Sequence, residues 1–116
     1  TLDRWDGQDV RIFVGHYPND PATIAALDSV RDERVELVRV PHDGPTTKAD
    51  CLNHLYDELV ATECREGWTA KAVILHDAED LVHPLEVPLF DKLVERAALV
   101  QLPVLPLPSR KSRWIA

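Results

Sequence analysis

The sequence predicts an α/β fold, an open and mostly parallel sheet with helices on both faces, and three observations predict it. Short β-rich apolar runs alternate along the 116 residues with stretches whose apolar positions recur at helical spacing. The first two runs are closed by turn residues, Gly15 with Pro18-Asn19-Asp20-Pro21 and Pro41 with Gly44-Pro45. The third run, Ala72 to Leu75, is apolar without alternation, the pattern of a strand buried on both faces of a parallel sheet.

Taken in order, residues 1–9 are polar and aperiodic, a lead-in in which Trp5 is the one candidate packing residue. Val10 to Gly15 form the first expected strand. Asp20 ahead of Pro21 predicts an N-cap with proline at the first helical position. The helix that follows carries Ile24, Leu27 and Val30 and is closed by Arg31-Asp32-Glu33-Arg34. Val35 to Val40 give a second strand, which completes a βαβ unit. Thr46 and Thr47 are placed to cap the next helix, with Asp50 as the partner in a shortened capping box. That helix presents Leu52, Leu55, Tyr56, Leu59 and Val60 on one face and ends at Gly67. After the strand at 72–75, residues 84–99 predict a helix with Leu85, Leu89, Phe90, Leu93 and Val94 inward. Residues 99–107 predict a last strand, and Pro103 and Pro106 confine it to an edge or a bulge. One domain spanning 1–116 is the expected organisation.

Composition narrows the function. The formal net charge of −7 and a pI near 5.1 argue against a nucleic-acid partner, which needs a basic face. The one basic cluster, Ser-Arg-Lys-Ser-Arg at 109–113, is by default a solvated tail. Cys51 and Cys64 fall in one predicted helix, roughly 20 Å apart at 1.5 Å per residue, too far to bridge. Unpaired thiols without a signal-peptide pattern point to a reducing, cytoplasmic setting and a soluble chain, and no run approaches the length of a membrane span.

The chemistry concentrates where the third apolar run stops. His76, Asp77, Glu79, Asp80 and His83 crowd into eight positions, beyond the carboxyl end of a strand, where open α/β sheets bind ligands. Asp77 and Glu79 could converge on one hard divalent cation, since Mg²⁺ takes one or two carboxylates together with substrate phosphates. A solvated acidic loop is the plainer alternative. Lys48, in the first turn of its helix, opposes the helix dipole. An anionic ligand near it would explain its place; so would a plain surface lysine. His42, His54 and His83 show no metal-ligand spacing and are expected to be surface or turn histidines. The glycine-rich dinucleotide fingerprint, the Walker A run and the hydrolase nucleophile elbow are absent.

Three ordered stretches resemble the family 2 glycosyltransferases of GT-A fold, and in particular their bacteriophage adsorption protein B subgroup. Tyr17-Pro18-Asn19-Asp20-Pro21-Ala22-Thr23 is similar to the loop that holds the nucleotide base. Thr47-Lys48-Ala49-Asp50-Cys51-Leu52-Asn53 resembles the family's Lys-Ala-x-x-Leu-Asn helix start. Leu75-His76-Asp77-Ala78-Glu79-Asp80, with Val82-His83-Pro84 behind it, resembles the metal-binding Asp-x-Asp region, and Gln101-Leu102-Pro103 extends the likeness. The resemblance implies that Asp77 and Glu79, with Asp80 as the competing second carboxylate, hold Mg²⁺ or Mn²⁺ on the diphosphate of a nucleotide sugar, a UDP-sugar being the first candidate. Lys48 would then face the diphosphate and Asp20 the nucleoside. It also implies a parent chain at the cytoplasmic face of the bacterial inner membrane.

The sequence departs from that pattern in specific places. The acidic pair expected after the first strand is replaced around His16 and Tyr17, and Glu79 stands for the second aspartate of the metal motif. The family places an earlier strand before Thr1 and the acceptor-side general base after Ala116. The expectation is therefore a piece of a larger glycosyltransferase domain that binds a donor without completing transfer. The earlier strand would lie between the strands at 10–15 and 72–76. Those two are accordingly expected either to pair directly or to recruit a strand from another copy in a homo-oligomer. A non-catalytic binding or scaffold module of an inner-membrane phage-adsorption protein is the alternative function. A receiver-like phosphoacceptor domain, with Asp77 as acceptor, expects an acidic pair that residues 15–19 do not offer.

Overall fold

A computed structural model describes residues 2–105. Its framework is a βαβ unit: β1 (Ile12–His16), α1 (Pro21–Asp28) and β2 (Val35–Arg39). The strands pair in parallel, with Ile12 opposite Val35 through to His16 opposite Arg39. Asp20 caps α1 by accepting from the Thr23 amide at 3.0 Å, and Pro21 opens the helix as expected. A third element, α2 (Lys48–Glu66), starts on the Thr47 hydroxyl, which accepts from the Asp50 amide at 3.2 Å. It stops at Gly67 with φ 75°, a left-handed conformation that glycine adopts without penalty.

The helix α2 packs across both strands and lies closest to β1. Gly15 makes that approach possible, because a Cβ there would fall 2.6 Å from Cys51 Sγ and 3.4 Å from Leu55 Cδ2. The buried face of α2 is narrower than its apolar pattern predicts. Leu52, Leu55 and Leu59 are half-buried, whereas Tyr56 is 63% exposed. A two-stranded sheet covers only a strip of helix surface. The fully buried Thr62 lies within 3.4 Å of Glu36 on β2 and of Glu58, and its hydroxyl accepts from Arg65 at 2.9 Å.

The lead-in is not featureless. Leu2–Trp5 form a 3-10 turn that ends on the buried Trp5. Arg34 donates to the carbonyls of Trp5 at 2.9 Å and Leu2 at 3.3 Å, and Arg4 donates to Val82 O at 2.7 Å. Trp5 also stacks on His76 with ring centroids 5.7 Å apart. The turn thus joins the start of β2 to the segment around residues 76–82, and Trp5 and Val82 are core residues together with Val38 and Val40.

The second half of the chain corrects three expectations. Among the described residues the sheet has two strands, not four. Residues 72–75 make no backbone ladder with β1, and Val73 and Leu75 are 60% and 66% exposed rather than buried. Apolar composition supplies propensity, but a strand exists only where a neighbour pairs its N–H and C=O groups. Here Trp5 packs against His76, at the end of the run, and among the described residues no strand pairs with residues 72–75. Residues 99–105 likewise form no strand; the rest of that expected strand, and the basic cluster at 109–113, lie outside the described residues. The helix expected over 84–99 is shorter, α3 (Glu86–Leu93). The parallel pair, its crossover helix and α2 remain a mixed α/β arrangement consistent with a partial Rossmann-like unit.

Candidate functional site

Because β1 and β2 run parallel, their carboxyl ends, His16 and Arg39, open on the same side, and the loops that follow carry the expected site. These loops are clamped to each other. Asn19 donates to the Gly44 carbonyl at 2.6 Å and accepts from the Gly44 amide at 2.8 Å. The Tyr17 ring lies on Gly44 so closely that a Cβ at that position would be 2.6 Å from the ring. The Tyr17 and Thr46 hydroxyls share a hydrogen bond of 2.6 Å. Tyr17 and Asn19 thereby hold the chain that delivers Thr47 and Lys48 to the start of α2.

Lys48 meets Asp77 there. The ammonium donates to the Asp77 carboxylate, so two residues singled out separately in the sequence are in direct contact across the loop cluster. This hydrogen bond, then the charge of Asp77, then the more distant charges of Asp80 and Glu79 raise the Lys48 pKa above its ordinary value. Asp77 and Asp80 form a tight turn: the Asp80 carboxylate accepts from the Asp77 amide at 2.9 Å, and the Asp80 amide donates to Asp77 O at 3.0 Å. Both partners of the ion pair are open to solvent, at 65% for Lys48 and 52% for Asp77. The pair therefore contributes little to stability and leaves both groups available to a ligand.

Asp20 is used locally. Its two carboxylate oxygens accept from the Thr23 amide and the Thr23 hydroxyl, the latter at 2.6 Å, and these bonds hold its pKa below the usual carboxylate value. His76 is paired with Glu86 at 2.8 Å, and His83 Nδ1 accepts from the Leu85 amide at 3.1 Å, a turn histidine as expected.

His42 and His54 are not independent surface groups. His42, Asp50 and His54 bring one ligand atom each within 4.8 Å of one another, the one such trio of metal-ligating side chains among the described residues. Asp50 and His54 are four apart on α2, a spacing that puts them on one face; nothing in the sequence ties His42 to that face. At the opposite, amino ends of the strands, a shallow hollow between residues 6–11 and 31–34 has mixed charge. Its Arg34 is already engaged by Asp32 and by the N-terminal turn.

Over 103 residues the chain is 46% identical to bacteriophage adsorption protein B of Escherichia coli strain K12, and equally to bacteriophage N4 adsorption protein B of Escherichia coli O157:H7. The chain is homologous to a segment of adsorption protein B. The match takes in 87% of the chain and 14% of each relative, so it spans about a seventh of the length of adsorption protein B. No family model matches the chain, and no solved structure matches it significantly. Among the described residues no helix is long and apolar enough to cross a membrane.

Proposed function

We infer that this segment is the donor-binding portion of a family 2 glycosyltransferase, part of a larger adsorption protein B-like chain at the cytoplasmic face of the bacterial inner membrane. One observation carries the reading: Lys48 at the start of α2 meets Asp77, with Glu79 and Asp80 beside it, at the carboxyl end of the parallel pair. Homology to adsorption protein B, the subgroup indicated by the residue motifs, supports it.

The ligand is a nucleoside diphosphate sugar, a UDP-sugar first, with Mg²⁺ or Mn²⁺. Asp77 with Glu79, or with Asp80 in its place, offers hard oxygen donors, and one or two carboxylates suffice when the phosphates complete the shell. When bound, the cation neutralises charge developing on the departing diphosphate. Lys48 supplies a second positive charge to the same phosphates. In the free chain its ammonium pairs with the Asp77 carboxylate; a phosphate that drew Lys48 away would leave Asp77 free to hold the cation. None of these residues serves as the acceptor-side base, and the segment binds donor without completing transfer.

Calorimetric titration with UDP and GDP, with and without Mn²⁺, tests this. Metal-dependent binding is expected, weakened roughly ten- to a hundredfold by Asp77→Ala, as loss of a charged contact implies. Lys48→Ala is expected to weaken the nucleotide while strengthening Mn²⁺ alone. Absence of binding to both nucleotides would favour a scaffold role for this segment.

A further inference from the structure

We propose that His42, Asp50 and His54 form a second metal site, selective for zinc-class transition ions and separate from the Asp77 region. The Nε2 atoms of both imidazoles face the same carboxylate: His42 Nε2 is 3.3 Å from Asp50 Oδ2, and His54 Nε2 is 3.9 Å from Asp50 Oδ1. Ligands about 2.0–2.2 Å from a tetrahedral Zn²⁺ stand about 3.3 Å from each other. The first separation meets that value; the second is to the other carboxylate oxygen, and with one donor atom of each residue within 4.8 Å of the others, side-chain rotations would close the three on one ion. Two imidazoles and one carboxylate suit zinc rather than Mg²⁺, and they leave a coordination position open to water or an exogenous ligand.

The surroundings are those of a supported site. Thr46 Oγ1 donates to Asp50 Oδ2 at 2.8 Å and is itself bonded to the Tyr17 hydroxyl, an outer layer that orients the ligating carboxylate. The Asp50 backbone is fixed by the Thr47 cap. The two imidazoles lie edge to face with centroids 5.8 Å apart. Cys51, the next residue, points its sulfur at Gly15 and takes no part. An ion here would pin the Pro41–Thr47 loop to the first two turns of α2, immediately beside Lys48.

The test is titration of the 116-residue chain with Zn²⁺ against a chromophoric chelator, with Co²⁺ as the spectroscopic probe. One Zn²⁺ per chain is expected, together with the visible absorption of tetrahedral Co²⁺. His42→Gln and His54→Gln should each weaken binding at least about tenfold, whereas Asp77→Ala should leave it unchanged. Wild-type imidazole ¹⁵N shifts on adding Zn²⁺ give a readout that needs no variant, and the resonances of both rings should move. Absence of saturable binding, unchanged affinity in both histidine variants, or unmoved imidazole resonances would overturn the site and leave the trio as ion pairs. Loss of Zn²⁺ binding in Asp77→Ala would overturn the separateness of the two sites. Failure of nucleotide binding, with Zn²⁺ binding intact, would count against the donor-site reading alone.

Discussion

Residues 68–105 are richer in apolar residues than residues 12–67, 22 of 38 against 23 of 56, yet they form far less regular structure. In the first region, residues 12–67, the helices are capped and the strands paired: Asp20 starts α1, Thr47 starts α2, Gly67 stops it, β1 pairs with β2, and α2 packs on both strands. In the second region Ala72 to Leu75 has no strand paired with it among the described residues, and α3 follows Leu85, which offers no side-chain cap. Anchorage of this region comes from single side chains: Val82 in the core, His76 against Trp5 and Glu86, and Lys71 reaching Asp91 at 2.6 Å and Glu95 at 3.2 Å. Regular structure follows the availability of partners more closely than it follows propensity. The candidate donor site spans the two regions, with Lys48 on the firmly built side and Asp77 on the other.

The largest expected contrast is in amide exchange. The amides of Val14 and Val38 should exchange slower than those of Val73 and Leu75 by roughly two orders of magnitude or more, measured by hydrogen exchange and NMR. Comparable protection would mean that residues 72–75 do pair in solution and would break the comparison. Core truncation comes next. Val40→Ala, at a fully buried position, should cost about 2–3 kcal/mol in denaturant unfolding, whereas Leu75→Ala should stay within about 0.5 kcal/mol.

Gly15→Ala tests how closely α2 rests on β1. The added methyl meets Cys51 Sγ at 2.6 Å, and the expected cost is about 1–2 kcal/mol, with Cys51→Ala in the same chain recovering part of it. Thr47→Ala removes the cap of α2 and should cost about 1 kcal/mol, visible as a lower denaturation midpoint. The smallest effect is electrostatic. Hydrogen bonds from Arg34 lower the Asp32 pKa from 3.8 to about 2. Its contribution is complete above the ordinary value and fades as pH falls toward about 2. The stability gap between wild type and Asp32→Asn should therefore close between about pH 4 and pH 2.

Much of the first region was legible in the sequence because its signals are local. Asp20 before Pro21, Thr47 ahead of Asp50, and Gly67 each act within one helical turn, and each cap forms as the residue pattern predicts. The parallel pairing of β1 and β2 follows from the helix between them. Residues 72–75 were misjudged for the converse reason: an apolar tetrapeptide states a preference, and the presence of a neighbour is a property of the whole fold. The Pro106-to-Arg113 stretch lies outside the described residues.

At the site, the sequence by itself determined which groups are available: Lys48 opposite to its helix dipole, three carboxylates between 77 and 80, and Asp50 and His54 one turn apart. Only the tertiary structure decided which of them meet. Lys48 and Asp77 are 29 positions apart, and His42 joins Asp50 only because Asn19 and Tyr17 pin the loop around Gly44. Hydrogen bonds and charges act over a few ångströms, so contacts between distant positions are set by the path of the chain through space. No periodicity along the sequence encodes that path.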